Sequence, residues 1–134
     1  MGMTFGRLMR VYGHSMIPVL HPGQLVFIAK GAYASREPQR GEIVAARPAS
    51  LEGKAVVKRI VGLPHERVQA DGREWQLENA QFFLLGDQPE YSLDSRIFGP
   101  VSRSELIGPV RLRLWPWGKV SDVVPASKSP RVVS

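Results

Sequence analysis

One stretch predicts the fold above all others: Lys54-Ala55-Val56-Val57-Lys58-Arg59-Ile60-Val61-Gly62. Its β-branched apolar residues, bounded by loop residues on both sides, are typical of a β-strand. Because side chains alternate faces along a strand, Lys58 falls on one face and Arg59 on the other, each between two apolar neighbours. One of these two basic residues is therefore predicted to lie on a face that the core covers.

Shorter strand-like runs are spread along the rest of the chain. The 13 glycines and 11 prolines favour many short strands and turns over long helices. A helical turn is predicted over Ser104–Ile107, and Asp71-Gly72 is a hairpin signal. The other predicted strands are Leu8–Tyr12, Leu25–Ile28, Glu42–Ala46, Arg67–Ala70, Glu74–Leu77, Phe82–Leu85 and Pro109–Leu114. The prediction is a mainly β chain, a compact antiparallel sheet or barrel with few short helical turns.

The composition is that of one folded domain. The chain has 134 residues, of which 43% are apolar and 22% charged, which suits a single core. We predict one domain over residues 1–118 and a flexible tail over residues 119–134. Because cysteine is absent, disulfides, a thiol nucleophile and thiolate metal sites are excluded.

The chain is basic, with a net charge of +6, which suits contact with nucleic acid or an anionic membrane surface. The basic residues are spread out, however, as they are on ordinary solvated faces. No apolar run approaches the roughly 20 residues that cross a bilayer, and the first ten residues lack the apolar segment of a secretory signal. We therefore expect a membrane-surface associated or cytoplasmic protein.

A second stretch, Gly13-His14-Ser15-Met16-Ile17-Pro18-Val19-Leu20, places a serine in a glycine-led bend. By itself, Ser15 could equally be an ordinary turn serine or a nucleophile. A nucleophilic serine needs a base, which a histidine or an uncharged lysine supplies. His14 is a poor base for Ser15 because adjacent side chains diverge, and His21 and His65 lie in turns beside prolines.

Lys58 is the stronger candidate for the base. Burial between apolar neighbours disfavours the ammonium form and can lower the pKa of a lysine by several units. The alternative is a lysine at a strand edge whose ammonium group extends into water. No His or carboxylate spacing typical of a metal site is present, and neither a cofactor nor a metal is predicted.

Several separated segments together resemble the type I signal peptidase family, membrane-associated serine endopeptidases that use a Ser-Lys dyad. The resemblance covers roughly residues 12–108 and implies the family's β-rich fold. In chain order, the segments are Gly13–Leu20, Arg40–Val44, Val57–Pro64, Phe83–Gln88, Ser92–Arg96 and Phe98–Gly99.

The resemblance implies that Ser15 is the nucleophile and that Lys58 is its general base. It further implies that the Ser92 hydroxyl helps to orient the lysine, and that Asp94 and Arg96 form a charged pair that braces the site. From its own surroundings in the sequence, Asp94 could equally be an ordinary loop carboxylate.

The implied partner is a precursor protein bound as an extended strand and cut after a small residue, with contact to a membrane surface as an option and no nucleic acid expected. We expect the apolar residues Met16, Ile17 and Val57 to line the substrate pocket. The alternatives are a soluble maturation protease of the kind that trims nickel superoxide dismutase precursors, and a basic β-rich nucleic-acid-binding module.

The sequence departs from the family pattern at a few positions. Gly13 stands where some members carry a serine whose hydroxyl donates to the oxyanion hole. Gln88 and Val19 replace the usual asparagine and threonine, and His65-Glu66 replaces glycine-aspartate. Only about a dozen residues precede Ser15, so we also expect no membrane anchor of the family type.

Overall fold

The computed structural model describes residues 5–115, 117–119 and 131–133, which form two antiparallel sheets. The strands of the large sheet are β1 (Phe5–Arg10), β2 (Leu25–Lys30), β3 (Ile43–Ala46), β4 (Val56–Gly62), β7 (Gln81–Leu85), β8 (Val101–Ser102), β9 (Leu106–Trp115) and β10 (Trp117–Lys119). Their order is β1-β2-β9-β3-β4-β7-β8, with β10 paired to β9. The small sheet has the order β11-β5-β6, from β5 (Arg67–Ala70), β6 (Arg73–Gln76) and β11 (Arg131–Val133).

The helical elements are short. They are α1 (Ser95–Phe98) and four 3-10 turns at Ala32–Ala34, Ala49–Leu51, Pro89–Tyr91 and Arg103–Glu105. The prediction of a mainly antiparallel β fold with few short helical turns is confirmed.

Some boundaries differ from those predicted. β1 spans Phe5–Arg10 rather than Leu8–Tyr12, because its pairing with β2 runs from Phe5 opposite Lys30 to Arg10 opposite Leu25. The predicted helical turn ends at Glu105, and β9 begins at the next residue. Within the predicted tail, residues 131–133 pair with β5; its residues 120–130 lie outside the described residues, so the flexible tail stays a prediction.

β4 lies between β3 and β7 in the large sheet, and both of its faces are covered. Every residue from Val57 to Gly62 is buried. Lys58 is 6% exposed and Arg59 is fully buried, so the expectation of a solvated face is wrong for Arg59, and the core covers both basic residues rather than one. Because β4 is an internal strand with both faces covered, Lys58 and Arg59 lie on opposite faces of the sheet and both are buried.

The part of the chain that the structure describes contains no helix that is both long enough and apolar enough to span a membrane.

Candidate active site

Ser15 lies in a turn that is held by a hydrogen bond of its own and by one to the segment after β7. The backbone N–H of Leu20 donates to the carbonyl of Met16 at 2.9 Å, and both side chains are buried, which fixes the far side of the turn. The backbone N–H of Gln88 donates to the carbonyl of Ser15 at 2.7 Å. Gly13 has a φ of 75°, a left-handed conformation that glycine adopts most easily. A Cβ atom at Gly13 would meet nothing within 4 Å, so the backbone angle and not close contact favours glycine here.

Lys58 reaches Ser15 from the middle of the sheet. Its Nζ atom lies 2.8 Å from the Ser15 Oγ atom, and both residues are 6% exposed. The alternative of a strand-edge lysine with its ammonium group in water is therefore wrong. The three histidines are exposed, and none of the described hydrogen bonds joins a histidine side chain to Ser15.

Burial lowers the pKa of the Lys58 ammonium group from 10.5 to about 8; the charge of Asp94 raises that pKa and the charge of Arg96 lowers it. Burial dominates because the interior solvates the cation poorly. With a pKa of about 8, roughly a tenth of the lysines are neutral at pH 7, against roughly one in three thousand for an unshifted lysine. Lys58 can thus accept a proton near neutral pH.

Asp94 is the centre of a hydrogen-bond network beside the Ser15–Lys58 pair. Its carboxylate accepts from the Ser92 hydroxyl at 2.6 Å, from the Gly86 backbone N–H at 3.1 Å and from Arg96 Nε at 2.9 Å. Asp94 also caps α1 by accepting from the Arg96 backbone N–H. Such a fully bonded carboxylate is held in one orientation.

Ser92 bonds to Asp94 and to the main chain of Gly86. Its hydroxyl donates to Asp94 and accepts from the Gly86 backbone N–H at 3.1 Å, and no described hydrogen bond joins it to Lys58. The role of Ser92 in orienting Lys58 therefore stays a prediction. Ser92 fixes the main chain of Gly86, which lies against the nucleophile.

Gly86 is a residue of the site that the sequence did not single out. A Cβ atom at this position would lie 2.3 Å from Ser92 Oγ and 2.9 Å from Ser15 Cβ. Only glycine lets the end of β7 pass between these two serines. The signal was a glycine directly after a buried strand, which often marks close backbone approach.

Arg59 and Asp87 form a buried ion pair behind the site. Arg59 donates to both Asp87 carboxylate oxygens at 2.9 Å and to the Gly41 carbonyl at 2.8 Å. The pair joins β4 to the segment that follows β7, so it sets the distance between Lys58 and Gly86. The sequence pattern placed Arg59 on a strand but gave no sign of its partner.

One recess is lined by Ser15, and a second is lined by residues close to it in the chain. The first, of about 210 Å³, is lined by residues 9–12, by Ser15 and Met16, and by residues 55–58. The second, of about 400 Å³, is lined by His14, Ile17, Gln88 and Tyr91. Of the residues predicted to bind substrate, Met16 and Val57 line the first recess and Ile17 lines the second.

Residues 5–115, 117–119 and 131–133 contain no group of three or more His, Cys, Asp or Glu side chains arranged to hold a metal ion.

Comparison with known proteins assigns the family. The sequence model of the family described as signal peptidase, peptidase S26, matches residues 1–80 and 69–115. The chain belongs to this family. Its members are serine-type peptidases, and the match favours a protease that cleaves signal peptides over the maturation protease or the nucleic-acid-binding module.

The chain is similar to individual proteins as well. The mitochondrial ATP-independent inner membrane protease subunit 1b of Arabidopsis thaliana is 31% identical over 84% of this chain and 72% of its own length. Signal peptidase I of Leptolyngbya laminosa is 28% identical over 83% of this chain and 70% of its own length. A crystal structure of a signal peptidase I from Enterococcus faecalis aligns with a TM-score of 0.47 and 24% identity, over 55% of this chain and 97% of that chain.

Proposed function

We propose that this signal peptidase family member removes a leader peptide from a precursor protein, with Ser15 as nucleophile and Lys58 as general base. The observation that supports this most strongly is the 2.8 Å contact between Lys58 Nζ and Ser15 Oγ in a buried site. Proton transfer requires such a distance, and the lowered pKa of Lys58 supplies the neutral amine.

The reaction is acyl transfer in two steps. Neutral Lys58 takes the Ser15 hydroxyl proton while Oγ attacks the scissile carbonyl carbon, and the resulting ammonium group gives its proton to the leaving amine as the peptide bond breaks. A water molecule then loses a proton to Lys58 and attacks the ester carbonyl; as the bond to Oγ breaks, the ammonium group returns that proton to Oγ, which releases the acyl part as a carboxylic acid and restores Ser15 and neutral Lys58.

The oxyanion of each tetrahedral intermediate needs hydrogen-bond donors. The backbone N–H of Ser15 makes no hydrogen bond with the described residues and is thus available for this purpose. Gly13 provides no hydroxyl, so backbone donors carry this task. One donor of this kind typically contributes about 3–4 kcal/mol to transition-state stabilisation.

Ser92, Asp94 and Arg96 are positioning residues in this proposal. Ser92 and Asp94 both bind the Gly86 backbone N–H, and Gly86 packs against Ser15. Arg96 pairs with Asp94, and its charge lowers the pKa of Lys58 and so offsets part of the rise that the charge of Asp94 causes. The network therefore holds the geometry of the site, while burial provides the neutral lysine.

The first recess suits the substrate segment before the cut. The strand β7 pairs with β4 only from Arg59 onward, so no described strand covers the β7 side of Val56–Lys58. An extended peptide can add there as a strand and direct side chains towards Met16 and Val57. A volume of about 210 Å³ fits small side chains such as alanine. Leu8 and Tyr12, 58% and 81% exposed beside this recess, offer apolar contact to a membrane surface.

The test is cleavage of a precursor that carries an Ala-X-Ala site, with and without anionic lipid vesicles. Ser15→Ala and Lys58→Met should each lower kcat/KM by at least about a thousandfold, as in other coupled nucleophile–base pairs. Lys54→Met, which removes an exposed lysine, is the matched control and should cleave like the wild type. Activity in either dyad variant close to that of the wild type would contradict the proposal.

A further inference from the structure

The second recess is lined by residues close to the nucleophile in the chain, and it has no role in the reaction described above. Two of its residues, His14 and Ile17, lie within two positions of Ser15 in the sequence. The other two, Gln88 and Tyr91, come from the segment after Gly86. None of these four lines the first recess. A peptide that runs along the first recess and across Ser15 therefore has the second recess ahead of it.

Hydrogen bonds preform this recess. The backbone N–H of Gln88 donates to the Ser15 carbonyl at 2.7 Å, and its side-chain amide donates to the Ile17 carbonyl at 2.8 Å. Both bonds join one wall of the recess to the turn that carries the nucleophile. A side chain held in the recess would therefore fix the scissile bond relative to Ser15, without a prior rearrangement of the walls.

The walls of the recess suit an apolar occupant. The half-buried Ile17 side chain forms one wall, and the His14 and Tyr91 rings lie tilted with centroids 6.1 Å apart. Tyr91 is 66% exposed, which leaves most of its ring for an incoming group to cover. Among the described residues that line the recess there is no Asp, Glu, Lys or Arg to select a charged side chain.

We propose that the His14–Ile17–Gln88–Tyr91 recess binds the side chain directly after the scissile bond and prefers a large aromatic or aliphatic one. This inference rests on the proposed function, because the first recess is assigned there to the residues before the cut. A volume of about 400 Å³ accommodates a phenylalanine side chain, which would pack against the Tyr91 ring. The recess thus adds a selection on the mature side of the precursor to the small-residue preference on the leader side.

The test uses three synthetic peptides that differ only in the residue after an Ala-X-Ala site: Phe, Ala or Asp. Binding is measured by calorimetry on the full chain carrying Ser15→Ala, which prevents turnover. The Phe peptide should bind about tenfold more tightly than the Ala peptide, as expected for a well-filled apolar pocket. The Asp peptide should bind no more tightly than the Ala peptide.

Second-site variants locate the effect. In the Ser15→Ala background, Tyr91→Ala should reduce the tenfold ratio to about twofold or less, and Tyr91→Phe should retain it because the ring remains. Tyr12→Ala is the matched control, since Tyr12 is an exposed tyrosine that lines the first recess. It should weaken the binding of all three peptides and leave the Phe-to-Ala ratio unchanged.

Four results would each overturn the inference. They are equal binding of the Phe and Ala peptides, no binding of any of the three, tightest binding of the Asp peptide, and a Phe-to-Ala ratio that Tyr91→Ala leaves unchanged. The proposed function is tested separately by cleavage with the wild type. If cleavage depends on Ser15 but the Phe preference is missing, only the proposal for the recess is rejected. If the wild type does not cleave, the dyad is rejected, and the Phe-to-Ala binding ratio still decides the proposal for the recess.

Discussion

Lys58 and Arg59 are adjacent on β4 and both are buried, yet only Arg59 has a counter-charge beside it. Arg59 meets both oxygens of Asp87 and a backbone carbonyl, so its charge is compensated inside the protein. Lys58 has the Ser15 hydroxyl as its hydrogen-bond partner, and no described carboxylate lies within ion-pair distance of it. The compensated cation holds the fold, and the uncompensated one has the lowered pKa that catalysis needs. A buried guanidinium stays charged and needs its counter-charge, whereas a buried lysine without a paired carboxylate can lose its proton and act as a base.

The largest effect on stability should come from breaking the compensated pair. Asp87→Asn removes the counter-charge and leaves the Arg59 guanidinium buried, which should lower the free energy of unfolding by about 3–5 kcal/mol. Urea denaturation of the purified variant measures this loss. The double variant Arg59→Met/Asp87→Leu removes both charges and should recover at least half of it. A loss below about 1 kcal/mol in Asp87→Asn would contradict the structural role of the pair.

At Lys58, next to Arg59, a substitution should raise the free energy of unfolding rather than lower it. Lys58→Met removes a cation that burial destabilises, so at pH 7 the free energy of unfolding should rise by about 1–3 kcal/mol while activity is lost. The folded-state pKa of Lys58 lies below its unfolded value, so the penalty in the wild type is complete below pH 8 and fades as the pH rises towards 10.5. The gain in Lys58→Met should therefore shrink over this range.

Urea denaturation at pH 7 and at pH 10 measures both parts of this prediction. Lys54→Met is again the control, and an exposed change of this kind should alter stability by no more than about 0.5 kcal/mol. If Lys58→Met were less stable than the wild type at pH 7, the buried lysine would not be under the strain proposed for it.

The sequence predicted the two cations of β4 better than their partners. Alternation along Val56–Gly62 placed Lys58 and Arg59 on opposite faces, and the β-rich fold followed from the short apolar runs. Strand alternation predicts faces but not which distant residues face them. Asp87 lies 28 positions from Arg59, and their contact depends on the pairing of β4 with β7, which no local pattern encodes.

The same limit applies around the serine. The segment after β7 packs against the serine turn. This packing places Gly86 between Ser92 and Ser15, and it forms the recess at Ile17 and Tyr91. Met16, Ile17 and Val57 were recognised as apolar residues near Ser15, but the sequence could not divide them between two recesses. That division depends on the bond from Gln88 to the Ser15 carbonyl, which only the folded chain brings together.

The central claim, that Lys58 is a base because it is buried without a counter-charge, is tested most directly by NMR titration of its side chain. Proteins labelled with ¹³C at lysine Cε are followed between pH 6 and 11, and the Lys58 signal is assigned by its absence in Lys58→Met. The pKa of Lys58 should be about 8. A midpoint at about 10.4, the value of a free lysine, would contradict the claim.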